Sequence, residues 1–175
     1  ISKLSYKKVK GLELNVLKES NLIITNNDKD KELLVSDGIL ADKIFVWTPF
    51  FQNYIDVPRE PGNHSIIFYG GMARQENYLS AIWFIENVLP LLAEDVEFLI
   101  IGANPVRQLY HYENERIKIV GYVEHVEDYL KKALCLVAPL VLGAGVKIKV
   151  LEGMSAGIPI LTNSIGIEGI KAEDG

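Results

Sequence analysis

The chain has 175 residues, 49% hydrophobic and 23% charged, with a net charge of −5. That length suits one globular domain, or one domain with a flanking piece of another, and the acidic balance repels phosphate backbones, which argues against nucleic acid as a partner. The lone cysteine, Cys135, excludes an internal disulfide and a cysteine-based zinc cluster, and no run approaches the roughly 20 apolar residues that cross a bilayer.

The chain opens Ile1-Ser2-Lys3, without Met or a signal peptide, and this reads as a segment excised from a longer protein. Residues 1–20 intersperse Leu4, Val9, Leu12, Leu14, Val16 and Leu17 with lysines at the spacing of an amphipathic helix. Its basic face reads as the solvated side of a packed helix, with a membrane surface as the other reading. Leu22–Thr25 is a short strand, Asn26-Asn27-Asp28 a turn with Asp28 as the helix N-cap, and Lys29–Ser36 a helix ending at Asp37-Gly38. Ile44–Trp47 is a second strand. Pro49, Pro58, Pro61 and Gly62-Asn63 mark residues 48–64 as a linker.

From residue 65 the pattern becomes regular. Strands are expected at Ser65–Tyr69, Val96–Ile101, Ile117–Val120, Leu134–Ala138 and Ile158–Thr162. Helices are expected at Tyr78–Leu92, Val126–Lys132 and Val146–Ala156, the last ended by Gly157. The strands are continuous apolar runs, such as Phe98-Leu99-Ile100-Ile101, rather than alternating ones. A parallel sheet covered on both faces has that pattern, so the fold class is α/β, a doubly wound, Rossmann-like sheet. Ligands of such sheets bind beyond the carboxyl ends of the strands. Gly70-Gly71, Gly102, Gly121 and Gly143-Ala144-Gly145 stand at those ends.

Two segments carry candidate chemistry. In Leu142–Ile160 a glycine loop enters a helix whose first turn is expected to hold Val146 and Lys147. A helix N-terminus with Lys147 beside it can bind a diphosphate, although an ordinary tight turn with a solvated lysine reads equally well. Glu152, flanked by Val150, Leu151 and Met154, needs a hydrogen-bond donor. A ribose diol would serve, and so would nearby backbone N–H groups. In Phe68–Asn77, Gly70 and Gly71 suit close approach of phosphate or sugar and Arg74 a phosphate contact, with a plain strand-to-helix turn as the alternative. The spacing is not that of a dinucleotide-binding fingerprint, and neither a P-loop nor a nucleophile elbow is present. His64, His111 and His125 lack metal-ligand spacing and read as surface residues, and Cys135 as a buried small hydrophobe.

Gly145–Pro159, with Phe68-Tyr69-Gly70-Gly71-Met72, Ile100-Ile101-Gly102, Val120-Gly121-Tyr122-Val123 and Leu136-Val137-Ala138-Pro139, resembles the C-terminal domain of retaining GT-B glycosyltransferases of the glycosyl transferases group 1 type. The five blocks agree in order and spacing over about residues 65–170. The resemblance implies that residues 1–47 end an N-terminal domain, 48–64 link the domains, and 65–175 form an incomplete C-terminal domain that binds a nucleotide sugar. It implies transfer of a sugar from a nucleoside diphosphate sugar to an acceptor glycan or lipid-linked glycan, with retention and no metal or other cofactor. The setting is expected to be surface polysaccharide synthesis in the cytoplasm, at the inner face of the membrane if parts outside this chain touch it. By motif position Glu152 takes the donor ribose, Gly143, Ala144, Gly145 and Val146 meet its sugar and phosphates, Gly70 and Gly71 its diphosphate, and Tyr122 and Val123 its base. No catalytic residue is assigned. Ala144 stands where the family has the first of two glutamates, and Glu76-Asn77 where a Lys-Gly is common, so Arg74 and Lys147 are expected to neutralise phosphate. Ala144 also favours an alternative, a non-catalytic nucleotide-binding or scaffold module. A sugar-nucleotide epimerase is a further alternative, for which no acid/base set is evident. The fragment alone is expected to be inactive.

Overall fold

The structure, a computed structural model, describes residues 3–60, 62 and 64–172. Pro61 and Asn63, two of the residues that mark the expected linker, lie outside the described residues, as do residues 173–175 at the end of the expected C-terminal domain. The chain forms two compact units, residues 1–49 and 50–175. Among the described residues no helix is long and apolar enough to cross a membrane.

The first unit runs α1 (Lys3–Glu19), β1 (Ile23–Thr25), α2 (Asp28–Ser36), a 3-10 turn at Ala41–Lys43 and β2 (Ile44–Val46). The two strands pair in parallel, with Ile23 opposite Ile44. Ile23, Ile39 and Ile44 form its core, and Leu14, Leu17 and Leu34 pack against them. The N-cap of α2 is Asn27 rather than Asp28. Its side chain accepts from the Asp30 N–H at 2.8 Å, which places the turn one residue earlier than expected.

The second unit alternates strand and helix: β3 (Ser65–Tyr69), α3 (Gln75–Asn87), β4 (Glu97–Ile101), α4 (Arg107–Tyr110), β5 (Ile117–Gly121), α5 (Glu127–Lys132), β6 (Cys135–Ala138), α6 (Ile148–Ser155) and β7 (Ile160–Thr162). All five strands are parallel, in the order β5-β4-β3-β6-β7. The continuous apolar runs are explained by burial of both sheet faces. Ile66 and Phe68 face a cluster with α3 residues Ala81, Phe84 and Ile85, whereas Ile67 faces a second cluster with Leu130, Leu136 and Ile158. The Phe84 and Phe98 rings meet at 4.8 Å between centroids, tilted by 40°, a favourable aromatic geometry.

Two helices, α3 and α6, depart from expectation by more than one residue, and α4 was not expected. α3 starts at Gln75 and yields to a 3-10 turn at Leu89–Leu91, where Pro90 has no N–H to continue an α-helix. α6 starts at Ile148, not Val146. Gly145 has φ of +71° and Lys147 is extended at φ −97° and ψ 102°, so winding begins only after them, and Lys147 is the N-cap rather than a first-turn residue.

Candidate functional site

From β3 the chain winds outward through β4 to β5, then crosses back to lay β6 on the other side of β3. The carboxyl ends of β3 and β6 therefore flank the switch point, where crossovers diverge and leave a crevice. A glycine-bearing loop follows each of them. On the β3 side the strand ends are laced together: Gly70 N–H donates to Ile101 O at 3.0 Å, Met72 N–H to Ala103 O at 2.9 Å, and Gly102 N–H to Gly121 O at 2.6 Å. A Cβ at Gly102 would stand 1.8 Å from Gly70 O, so only glycine permits this approach. On the β6 side, Thr162 Oγ1 donates to Ala138 O at 2.8 Å and Asn163 Nδ2 to Leu140 O at 2.8 Å, which fixes the exit of the strand.

Between the two loops lies a groove of about 350 Å³, within the usual range for small-molecule sites. Gly70, Gly71 and Arg74 line it from the β3 side, and Gly143, Ala144, Val146, Lys147 and Glu152 from the β6–α6 side. Gly143 and Ala144 are exposed, so the loop opens outward. Gly145 differs from its neighbours, because its N–H already donates to Glu168 Oε2 at 2.9 Å. Lys147 Nζ donates back to Gly145 O. Tyr122 and Val123 do not line the groove. They follow β5, Tyr122 is 75% exposed, and Val123 packs against the second core cluster.

Three further residues shape the groove, and sequence reasoning passed over them. Lys149, in the first turn of α6, donates from Nζ to Asn77 Oδ1 at 2.7 Å and sits 4.2 Å from the centroid of the Phe68 ring. Asn77, on the buried face of α3, donates from Nδ2 to Gly71 O at 2.9 Å and so ties the lysine to the glycine loop. Tyr69 donates from its hydroxyl to Glu152 Oε2 at 2.6 Å, while Gln52 N–H reaches Glu152 Oε1 at 3.4 Å. Signals for two of them were present. Lys149 and Glu152 are three apart on one helix and therefore share a face, unlike Lys147 and Glu152. Asn77 falls four residues before Ala81 on the apolar stripe of its helix, where a polar residue needs a partner.

Burial pushes the Lys149 ammonium down to about 7. The Glu76 and Glu152 carboxylates pull upward, and Lys147 and Arg74 push further down. Burial and the Glu152 carboxylate hold the Tyr69 phenol far above its ordinary value, so it acts only as a donor. Removing that hydroxyl leaves Glu152 Oε2 without its donor. Tyr69→Phe is expected to cost about 1–2 kcal/mol of stability in chemical denaturation, and an unchanged midpoint would show that water replaces the bond.

Among the described residues no group of three or more His, Cys, Asp and Glu side chains converges as a metal site. His64 and His125 are exposed and pair with Asp95 and Glu127. Burial raises the Cys135 thiol above its usual range, which keeps it protonated.

The sequence pattern of the family described as "Glycosyl transferases group 1" matches residues 63–175. A Klebsiella pneumoniae protein described as an uncharacterized 44.6 kDa protein in the cps region is 26% identical over 176 residues, covering 93% of this chain and 44% of its own length. In fold, the chain is similar to HepE of Anabaena in complex with UDP and glucose, with a TM-score of 0.71 at 12% identity over 94% of this chain and 50% of that one. It is also similar to S. aureus TarM in complex with fondaparinux, alpha-GlcNAc-glycerol and UDP, with a TM-score of 0.74 at 16% identity over 95% of this chain and 35% of that one. The chain thus spans half or less of the length of these relatives.

Proposed function

The chain belongs to the glycosyl transferases group 1 family, and from that premise we propose that its second unit is the donor-binding half of a retaining glycosyltransferase. It takes a nucleoside diphosphate sugar and passes the sugar to an acceptor glycan. The observation that carries this reading is the convergence of two glycine loops, Lys147, Lys149 and Glu152 on one groove at the switch point of the sheet. The diphosphate lies against the loops, where the two lysines neutralise charge as the nucleoside diphosphate departs. Stabilisation of the leaving group by fixed positive charge lowers the barrier without a divalent metal. Glu152, oriented by Tyr69, accepts from the ribose hydroxyls through Oε1, whose neighbour in this structure is the Gln52 N–H at 3.4 Å. The likeness to HepE, bound to UDP and glucose, makes UDP the first nucleotide to try. The likeness to a cps-region protein supports polysaccharide synthesis as the setting, and the reading puts that synthesis in the cytoplasm, at the inner face of the membrane.

Ala144 supports a second reading, a nucleotide-binding module without transfer activity. Calorimetric titration of the intact protein with UDP, GDP and ADP separates the readings when combined with a transfer assay from labelled donor. Binding with transfer supports the enzyme, binding without transfer supports the module, and no binding by any of the three removes the donor site altogether.

The two lysines are expected to contribute unequally. Lys147 is tied to Gly145 O at the rim of the loop. Lys147→Ala is therefore expected to weaken UDP by about tenfold, the lower end for one charge-assisted contact, and to leave uridine affinity unchanged. Equal losses for UDP and uridine would take Lys147 off the phosphates.

A further inference from the structure

Among the described residues, no carboxylate lies within ion-pair distance of the Lys149 ammonium. Its hydrogen-bond partner is a neutral amide oxygen, Asn77 Oδ1, and the Phe68 ring covers another side. The backbone of Gly70 is so close that a Cβ there would stand 2.8 Å from Nζ. An amine held this way carries its charge at a cost, because no carboxylate pairs with it and Asn77 Oδ1, which accepts from it, is neutral.

Charged and titratable groups face it from each packed element. Arg74 lies in the loop before α3 and Glu76 on α3; Lys147 lies before α6 and Glu152 on α6. Tyr69, from β3, is neutral and spends its hydroxyl on Glu152. Two cations thus oppose two carboxylates, burial decides the balance, and the amine titrates at about 7. Asn77 cannot follow a change in charge, since its Nδ2 is committed to Gly71 O.

We propose that a nucleoside diphosphate binds this groove together with a proton, which the Lys149 amine takes up as the diphosphate arrives. The proposal rests on the donor reading above and adds regulation by pH to it. One proton moves from solvent to Nζ for each diphosphate bound, and it returns to solvent when the nucleotide leaves. An adjacent anion favours the charged form of an amine. Above neutrality each pH unit is therefore expected to weaken binding about tenfold, until the titration point of the occupied site is reached.

UDP-glucose is the probe of choice, because its diphosphate has no ionisation of its own between about pH 6 and pH 9. Calorimetry on the intact protein, in buffers of different ionisation heat, is expected to show about one proton taken up at about pH 8.5 and about a tenfold loss of affinity from pH 8 to pH 9. Lys149→Arg, whose guanidinium stays charged, is expected to bind without this pH dependence. In the nucleotide-free protein, carbon-13 NMR of the lysine side chains, assigned with that variant, is expected to find Lys149 titrating near neutrality. Constant affinity across the range, or a Lys149 signal that titrates only above about pH 10, overturns the coupling and leaves the donor reading intact. If UDP-glucose, UDP, GDP and ADP all fail to bind, the donor reading and the coupling fall together.

Discussion

Lys149→Met is expected to weaken UDP binding by about a hundredfold while leaving uridine binding unchanged, and to make the nucleotide-free protein more stable. The first effect follows from the loss of a charge-assisted contact, worth about 1.5–3 kcal/mol, which corresponds to about 10- to 150-fold in affinity. The loss is expected to exceed that of Lys147→Ala, because the ammonium of Lys149 is walled by Asn77, Phe68 and Gly70 while Lys147 lies at the rim. The second effect follows from burial. Methionine matches the length of the lysine stem and fills the same space without a charge to desolvate.

The pH dependence of that stabilisation has a defined sign. Lys149 titrates at about 7 in the folded protein and near its ordinary value of about 10.4 when unfolded. Between these values the unfolded chain binds more protons, so wild-type stability gains from Lys149 as pH rises. The advantage of Lys149→Met is therefore greatest below neutrality and shrinks as pH climbs toward 10. Denaturant melts at pH 6.5 and pH 9 would check this. A variant less stable than wild type at pH 6.5 would mean that the ammonium is compensated after all.

Gly102→Ala is expected to cost about 4 kcal/mol, a large fraction of the roughly 5–15 kcal/mol that holds a domain of ordinary stability folded. Two terms add. The new methyl would stand 1.8 Å from Gly70 O, a backbone atom that cannot swing away as a flexible side chain would. Overpacking of this kind costs about 1–3 kcal/mol. Gly102 also has φ of +143°, which an L side chain rarely adopts, and such strain adds about 1–3 kcal/mol. Gly121 provides the control. Its φ is +78°, yet nothing lies within 4 Å of a Cβ placed there, so Gly121→Ala is expected to show the strain alone. Equal losses in the two variants would mean that the β3 and β4 loops can move apart. That result would also weaken the groove, because Gly70 sits on its wall.

The glycine loops show how far the sequence reaches. Gly70, Gly71 and Gly143 could be placed at strand ends, since each strand is a local apolar run and each run is punctuated locally. Such patterns depend on neighbours within a few residues, and the chain displays them directly. The roles of individual polar groups were less legible. Gly145 is one of the residues expected to meet the donor's sugar and phosphates, yet its N–H donates to Glu168, 23 residues on. Tyr122 and Val123 kept their order in the motif and yet lie away from the groove, because β5 is the edge strand on the far side of β4.

From the sequence alone came the parallel α/β sheet, the family and the position of the loops, because continuous apolar runs and glycine punctuation are properties of short segments. Folding alone decided which charge is buried and which carboxylate is held. Lys149 meets Asn77 across 72 residues and Tyr69 meets Glu152 across 83. Both contacts exist because β6 returns to lie beside β3. Strand order brings those side chains together, and the low dielectric between them sets the proton affinity of the lysine.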